Sequence, residues 1–110
     1  MIDWTRIKQL RDEIGEEDFP EVVEIFIEEV SGMIDSLRSA PSVETLGDDL
    51  HALKGSALNL GFHAFAEMCQ TGETRAANGR ATEIVLEPIL RCYDDSRDVF
   101  LAGLENGQAN

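Results

Sequence analysis

Between Glu21 and Ser39 the apolar residues recur three or four apart, as Val22/Val23, Phe26/Ile27, Val30, Met33/Ile34 and Leu37, with acids on the other side. That interval is the turn of an α-helix with one dry face, and such a face must be buried against neighbours. No segment shows the strict alternation of a half-buried strand. The helical interval returns in four more segments. Asp3 to Ile14 carries Trp4, Ile7, Leu10 and Ile14, and Gly15 follows as its stop. Glu16, Glu17 and Asp18 offer N-caps for the Val22 helix, with Pro20 tolerated in its first turn. After the break Ser39-Ala40-Pro41-Ser42, Ser42 can cap a third helix that ends at Gly61. A fourth is expected from about His63 to Ala77, burying Phe65, Met68/Cys69 and Gly72, and is closed by Asn78-Gly79. Thr82 can cap a fifth, with Ile84, Leu86, Ile89, Leu90, Tyr93, Val99, Phe100 and Leu104 as apolar members. Pro88 lies inside that run and is expected to kink it or weaken its first two turns.

Short connections between amphipathic helices make neighbours antiparallel. The expected fold is therefore all-α: an up-down four-helix bundle with a short additional N-terminal helix across one end. All 110 residues are expected to form a single domain.

Charge narrows the partners. With 22 acids against 9 bases the chain carries a formal −13, so it repels nucleic-acid phosphates and anionic lipid alike. Neither nucleic acid nor membrane is an expected partner; a locally positive protein surface is. No basic segment followed by an apolar one marks a signal peptide, and no apolar run approaches membrane length, which makes the cytoplasm the expected location. Cys69 and Cys92 fall within helical patterns without CxxC spacing and are expected to be reduced core residues.

One run carries chemistry: His51-Ala52-Leu53-Lys54-Gly55-Ser56-Ala57-Leu58-Asn59-Leu60-Gly61. At about 100° per residue, Leu46, Leu50, Leu53, Ala57 and Leu60 form one narrow core stripe. His51 falls roughly 140° from Leu46 on that count and is expected on the surface, with Lys54 on the same side. Gly47 and Gly55 stand at i−4 and i+4. Two glycines inside a helix each cost about 0.5–1 kcal/mol relative to alanine, and around an exposed imidazole they are expected to clear a landing surface. Leu58, also off the core stripe, offers that landing an apolar contact. Neutral imidazole is a nucleophile, and Lys54 can hold the oxygens of a phosphoryl group once attached. No P-loop or glycine-rich kinase loop supplies a nucleotide site.

With its bundle pattern, this run resembles the signature of histidine-containing phosphotransfer (HPt) domains, and the likeness extends over the whole chain. The resemblance implies a phosphorelay intermediate in multistep two-component signalling. It makes His51 the phosphoacceptor through Nε2 and Lys54 the phosphate-stabilising residue, with Gly47, Gly55 and Leu58 in partner docking. The implied partners are the receiver domains of a hybrid histidine kinase and a response regulator, meeting a monomeric carrier. No resident cofactor or metal is implied; Mg²⁺ and the acceptor aspartate come from the receiver. The carrier is not expected to make phosphohistidine from ATP. The start at Met1 suggests a free-standing protein. One position departs from the family: where HPt domains often place a glutamine on the fourth helix, this chain has Glu73, with Gln70 a turn earlier. A carboxylate there repels a phosphoryl group unless it points away or pairs with Lys54 or Arg75.

Other readings fit less well. A receiver-docking module without transfer does not need both His51 and Lys54. A hydrolase or metal-site bundle needs an inward E-x-x-H set, whereas this histidine faces outward. Asp48 and Asp49 do not converge tightly on His51 and suit a solvated acidic edge. His63, at a helix start, is expected to face solvent, and Ser56 to pack between helices.

Overall fold

The computed structural model describes residues 1–109. It contains five helices: α1 Trp4–Ile14, α2 Phe19–Ser39, α3 Leu46–Asn59, α4 His63–Ala77 and α5 Leu86–Glu105. The fold is all-α, a helical bundle with an additional short N-terminal helix. Among the described residues the only β-type pairing is an isolated antiparallel bridge between Ile2 and Phe62.

The helix starts follow local chemistry. Asp3 caps α1, its side chain accepting from the Arg6 N–H at 3.2 Å. Gly15, at φ +101, ends it. Pro20 sits in the first turn of α2, where its missing N–H costs nothing. Two expected caps are corrected. Ser42 does not cap α3: its carbonyl accepts from the Thr45 N–H at 3.2 Å, closing a turn that postpones the helix to Leu46. Thr45 takes the cap position, but its hydroxyl donates to Asp49 Oδ2 at 3.1 Å instead of accepting a backbone N–H. Thr82 does not cap α5 either, because it lies in a single 3₁₀ turn, Ala81–Glu83, and α5 begins only at Leu86. That late start also corrects the expectation for Pro88. It occupies the third helical position, where no earlier carbonyl awaits its N–H, so it neither breaks a bond nor needs a kink.

The five expected α3 stripe residues are all buried: Leu46, Leu50, Leu53, Ala57 and Leu60. They meet Val23, Val30, Ile34 and Leu37 of α2, Phe65 and Cys69 of α4, and Ile89, Leu90, Tyr93 and Phe100 of α5. Phe62 and Phe65 pack on Tyr93 with ring centroids 6.2 and 5.4 Å apart. The Tyr93 hydroxyl escapes the apolar core by pairing with Ser31 Oγ at 2.8 Å. Both cysteines are free, and burial pushes the Cys69 thiol up to about 12.

Two features position the surface around His51. First, α3 and α4 form the most intimate helix pair, and small residues let them close up. A Cβ on Gly72 would come within 2.6 Å of Leu50 Cδ1, and one on Gly47 within 3.0 Å of Ala76 Cβ. Second, the turn joining them is fixed from outside. Gly61 adopts φ +71, and a Cβ there would meet the Asp3 carbonyl oxygen at 2.6 Å; that close approach lets the Asp3 N–H donate to the Gly61 carbonyl at 2.7 Å. The N-terminal segment thus straps the α3–α4 turn.

Candidate functional site

The antiparallel register of α3 and α4 dictates which surface residues meet. With Leu50 opposite Gly72 and Gly47 opposite Ala76, the next outward positions are His51 against Glu73 and Lys54 against Gln70. His51 is 69% exposed, and its Nδ1 lies 2.8 Å from Glu73 Oε1. Lys54 Nζ lies 2.8 Å from Glu73 Oε2 and donates to Gln70 Oε1 at 2.8 Å. Gln70 Nε2 in turn donates to Thr74 Oγ1 at 3.1 Å. Four side chains from α4 and α3 therefore form one chain of polar contacts that ends at the imidazole.

Glu73 does not point away. It pairs with Lys54, one of the alternatives the sequence left open, and with His51 as well; Arg75 is not its partner among the described residues. The Lys54 ammonium first, and His51 second, hold its carboxyl below the ordinary 4.5. An ionised carboxylate can only accept, so the proton it shares with neutral His51 sits on Nδ1 and the Nε2 lone pair is left bare. No described residue bonds to Nε2.

A groove of about 450 Å³ opens beside the ring. Gly47 and Asp48 of α3 and Ala76 and Ala77 of α4 line it, together with Val43 and Glu44 from the turn before α3. The two flanking glycines have different surroundings. A Cβ on Gly55 would meet nothing within 4 Å, so this position leaves open space, whereas Gly47 is pressed against Ala76. The expectation that both bare the surface is thus corrected for Gly47, whose missing side chain serves the α3–α4 approach and the groove wall. Leu58 is 52% exposed. Of the residues weighed and set aside, His63 pairs with Glu67 at 3.2 Å on the surface, Ser56 is half-buried, and Asp49 is engaged by Thr45. No cluster among the described residues could hold a metal ion.

The sequence did not single out the groove-lining alanines of α4 or Thr74 at the far end of the polar chain. The small-residue spacing Gly72–Ala76 was the available signal, since a glycine and an alanine four apart mark a close helix contact.

Comparison with known proteins decides the family. The Hpt domain family matches residues 21–102, which include all of α3 and α4. The chain belongs to the Hpt domain family. Phosphorelay protein LuxU of Vibrio vulnificus strain YJ016 is 30% identical over 113 aligned positions, covering 97% of each chain, and the protein of that name from strain CMCP6 is equally similar. Phosphorelay protein LuxU of Vibrio cholerae serotype O1 is 34% identical over 89 positions, covering 78% of this chain and 79% of its own. No solved structure gives a significant match. This Hpt chain presents its exposed histidine on the polar edge of the α3–α4 pair. No helix among the described residues is long and apolar enough to cross a membrane.

Proposed function

We propose that this Hpt chain is a phosphorelay intermediate that carries a phosphoryl group on His51 Nε2 between the aspartates of two receiver domains, one of a hybrid histidine kinase and one of a response regulator. One observation carries the reading: the imidazole is exposed, with Nδ1 held by Glu73 at 2.8 Å, so the other nitrogen is a bare, outward nucleophile beside a lysine. Family membership and the LuxU relatives, phosphorelay proteins by name, support it.

In the forward step the Nε2 lone pair attacks the phosphorus of the receiver's aspartyl phosphate. The P–O bond to the aspartate breaks, and its electron pair leaves with the carboxylate. In the return step the N–P bond breaks and its pair goes back to Nε2. Lys54 supplies a positive charge for the oxygens in transit. Mg²⁺ and the reacting aspartate belong to the receiver. The carrier acts in the cytoplasm as a monomer and does not draw phosphate from ATP. The groove beside His51 and the open face at Gly55 and Leu58 receive the docking receiver, whose contact surface carries basic residues to suit a chain of formal charge −13.

Incubation with a panel of phosphorylated receivers tests the assignment. The wild-type protein acquires acid-labile phosphate, and His51→Gln, which removes a largely exposed ring and leaves the core untouched, folds normally and acquires none. Labelling of His51→Gln together with loss of label in His63→Gln would overturn it.

A further inference from the structure

Two opposite charges, Glu73 and Lys54, stand in a row beside the ring, and their contacts are not alike. Glu73 Oε1 lies 2.8 Å from His51 Nδ1 in a hydrogen bond. Lys54 Nζ comes as close to Oε2, at 2.8 Å, yet the aligned hydrogen bond of the ammonium goes to Gln70 Oε1. Oε2 itself is buried, and the Lys54 ammonium is its close partner. Lys54 therefore divides its ammonium between the Glu73 carboxylate and the Gln70 amide oxygen, and it keeps Gln70 as a partner when it turns from the carboxylate. The carboxylate also differs in kind from the glutamine expected here. An amide can accept or donate and is neutral, whereas the carboxylate only accepts and brings a full negative charge.

We propose that Glu73 changes charge partner during transfer: it neutralises Lys54 in the resting protein and the phosphorylated imidazolium afterwards, as Lys54 turns to the phosphoryl oxygens. This rests on His51 being the phosphoacceptor. When Nε2 takes the phosphoryl group, the proton already on Nδ1 stays there, so the ring becomes a cation hydrogen-bonded to Glu73 Oε1. The carboxylate stabilises that cation where it forms, as a buried aspartate does for the histidine of a hydrolytic triad. The ammonium is freed at the same moment that a dianionic group appears beside it. In the return step the protonated ring leaves as neutral imidazole, and no proton has to move. A ring that had lost its Nδ1 proton would have to leave as imidazolate, a much poorer leaving group. Glu73 is thus a positioning residue that makes phospho-His51 a fast and short-lived donor. The other charged groups near the ring, Asp48 of α3 and Glu44 in the turn before it, line the groove but make no bond to either nitrogen.

The test uses full-length protein labelled with ¹⁵N-histidine and phosphorylated with phosphoramidate and with a phosphorylated receiver, all at pH 8. In the wild type, phospho-His51 keeps a hydrogen-bonded proton on Nδ1. In Glu73→Gln that proton is lost, transfer to a receiver slows by roughly three- to tenfold, and the phosphohistidine lives correspondingly longer, the scale of one charge contact weakened by solvent. Lys54→Ala retains the Nδ1 proton, because Glu73 is still in place. A Glu73→Gln protein that matches the wild type in both spectrum and rate overturns the exchange. Should that variant fail to fold, absence of the Nδ1 proton from wild-type phospho-His51 overturns it equally. A wild-type protein that takes no phosphate on His51 from either donor overturns the carrier function itself, and the exchange falls with it.

Discussion

At the scale of single residues, the site is built from ordinary surface chemistry held in an unusual order. A lysine three residues after a histidine is common on helices; here Glu73 lies between the two head groups, bonded to one and charge-paired with the other. Lys54 is 20% exposed, and its ammonium is held in place by Glu73 and Gln70. Lys54→Ala is expected to fold and to slow transfer in both directions by up to about tenfold, since one charge serves the same transition state either way and solvent weakens it. Stopped-flow transfer to and from one receiver measures both directions; an unchanged rate would remove Lys54 from the mechanism. Glu73 also sets a pH limit. Its carboxyl is held below 4.5 by Lys54 and then by His51. A depressed carboxylate contributes stability that is present above its unfolded value and is lost as pH falls through the lower folded one. The contacts to Lys54 and His51 therefore persist at about pH 5 and open only on further acidification. Carbon-detected titration of the Glu73 carboxyl should give a midpoint below that of glutamate in a peptide.

At the scale of helices, the site depends on how closely α3 and α4 approach. Gly72 and Gly47 each admit the opposite helix, and without that closeness the His51 and Lys54 side chains could not both reach Glu73. Much of this was legible in the sequence. The period of Leu46, Leu50, Leu53, Ala57 and Leu60 places His51 outside, and the bounds of α4, His63–Ala77, follow from Gly61 and Asn78-Gly79. The starts of α3 and α5 were not legible, because Ser42 and Thr82 are good caps in isolation, and a turn closed by the Thr45 N–H or a 3₁₀ turn at Ala81–Glu83 competes at equal local cost. The partner of Glu73 could not be read either. Arg75, two residues on, faces away on the same helix, and Lys54 lies on the neighbouring one, so only the register between α3 and α4 brings a cation to Glu73. The two glycines beside His51 looked alike in sequence, since a missing side chain leaves no mark of what it faces. Gly55→Gln separates them functionally. In open space at a helix interior, an ordinary residue should raise stability by roughly 0.5–1 kcal/mol while the longer side chain, one turn from the imidazole, obstructs the receiver. Thermal melts and receiver-binding titrations check both halves; a variant that unfolds would show that Gly55 is a packing glycine after all.

At the scale of the whole molecule, the active edge and the structural seams are kept apart. The α3–α4 pair carries His51, Lys54 and Glu73, while α1 is docked far along the chain, on α5. The Trp4 indole stacks on Phe100 with centroids 5.9 Å apart and lies directly over Gly103, where a Cβ would overlap the ring. Arg11 of α1 donates to the Ala109 carbonyl beyond α5 at 3.0 Å, closing the same seam, and to Glu16 in the α1–α2 turn at 2.8 Å. α1 also reaches toward the active edge, because Asp3, its N-cap, is hydrogen-bonded to Gly61 in the turn that joins α3 to α4. The bundle therefore couples the α1–α5 seam to the α3–α4 turn through a single strap of backbone. Gly103→Ala tests how strongly. The rigid indole cannot yield as a flexible side chain would, so the added methyl forces Trp4 off α5 and should destabilise the protein by about 1–3 kcal/mol, measured by urea unfolding. His51, Lys54 and Glu73 contact neither Trp4 nor Gly103, and their pairing depends on Gly72 and Gly47 instead. Below its unfolding transition the variant should accept phosphate at the wild-type rate. Loss of transfer in still-folded protein would mean that the strap at Gly61 transmits the displacement of α1 to the histidine, and that the seam and the site act as one unit.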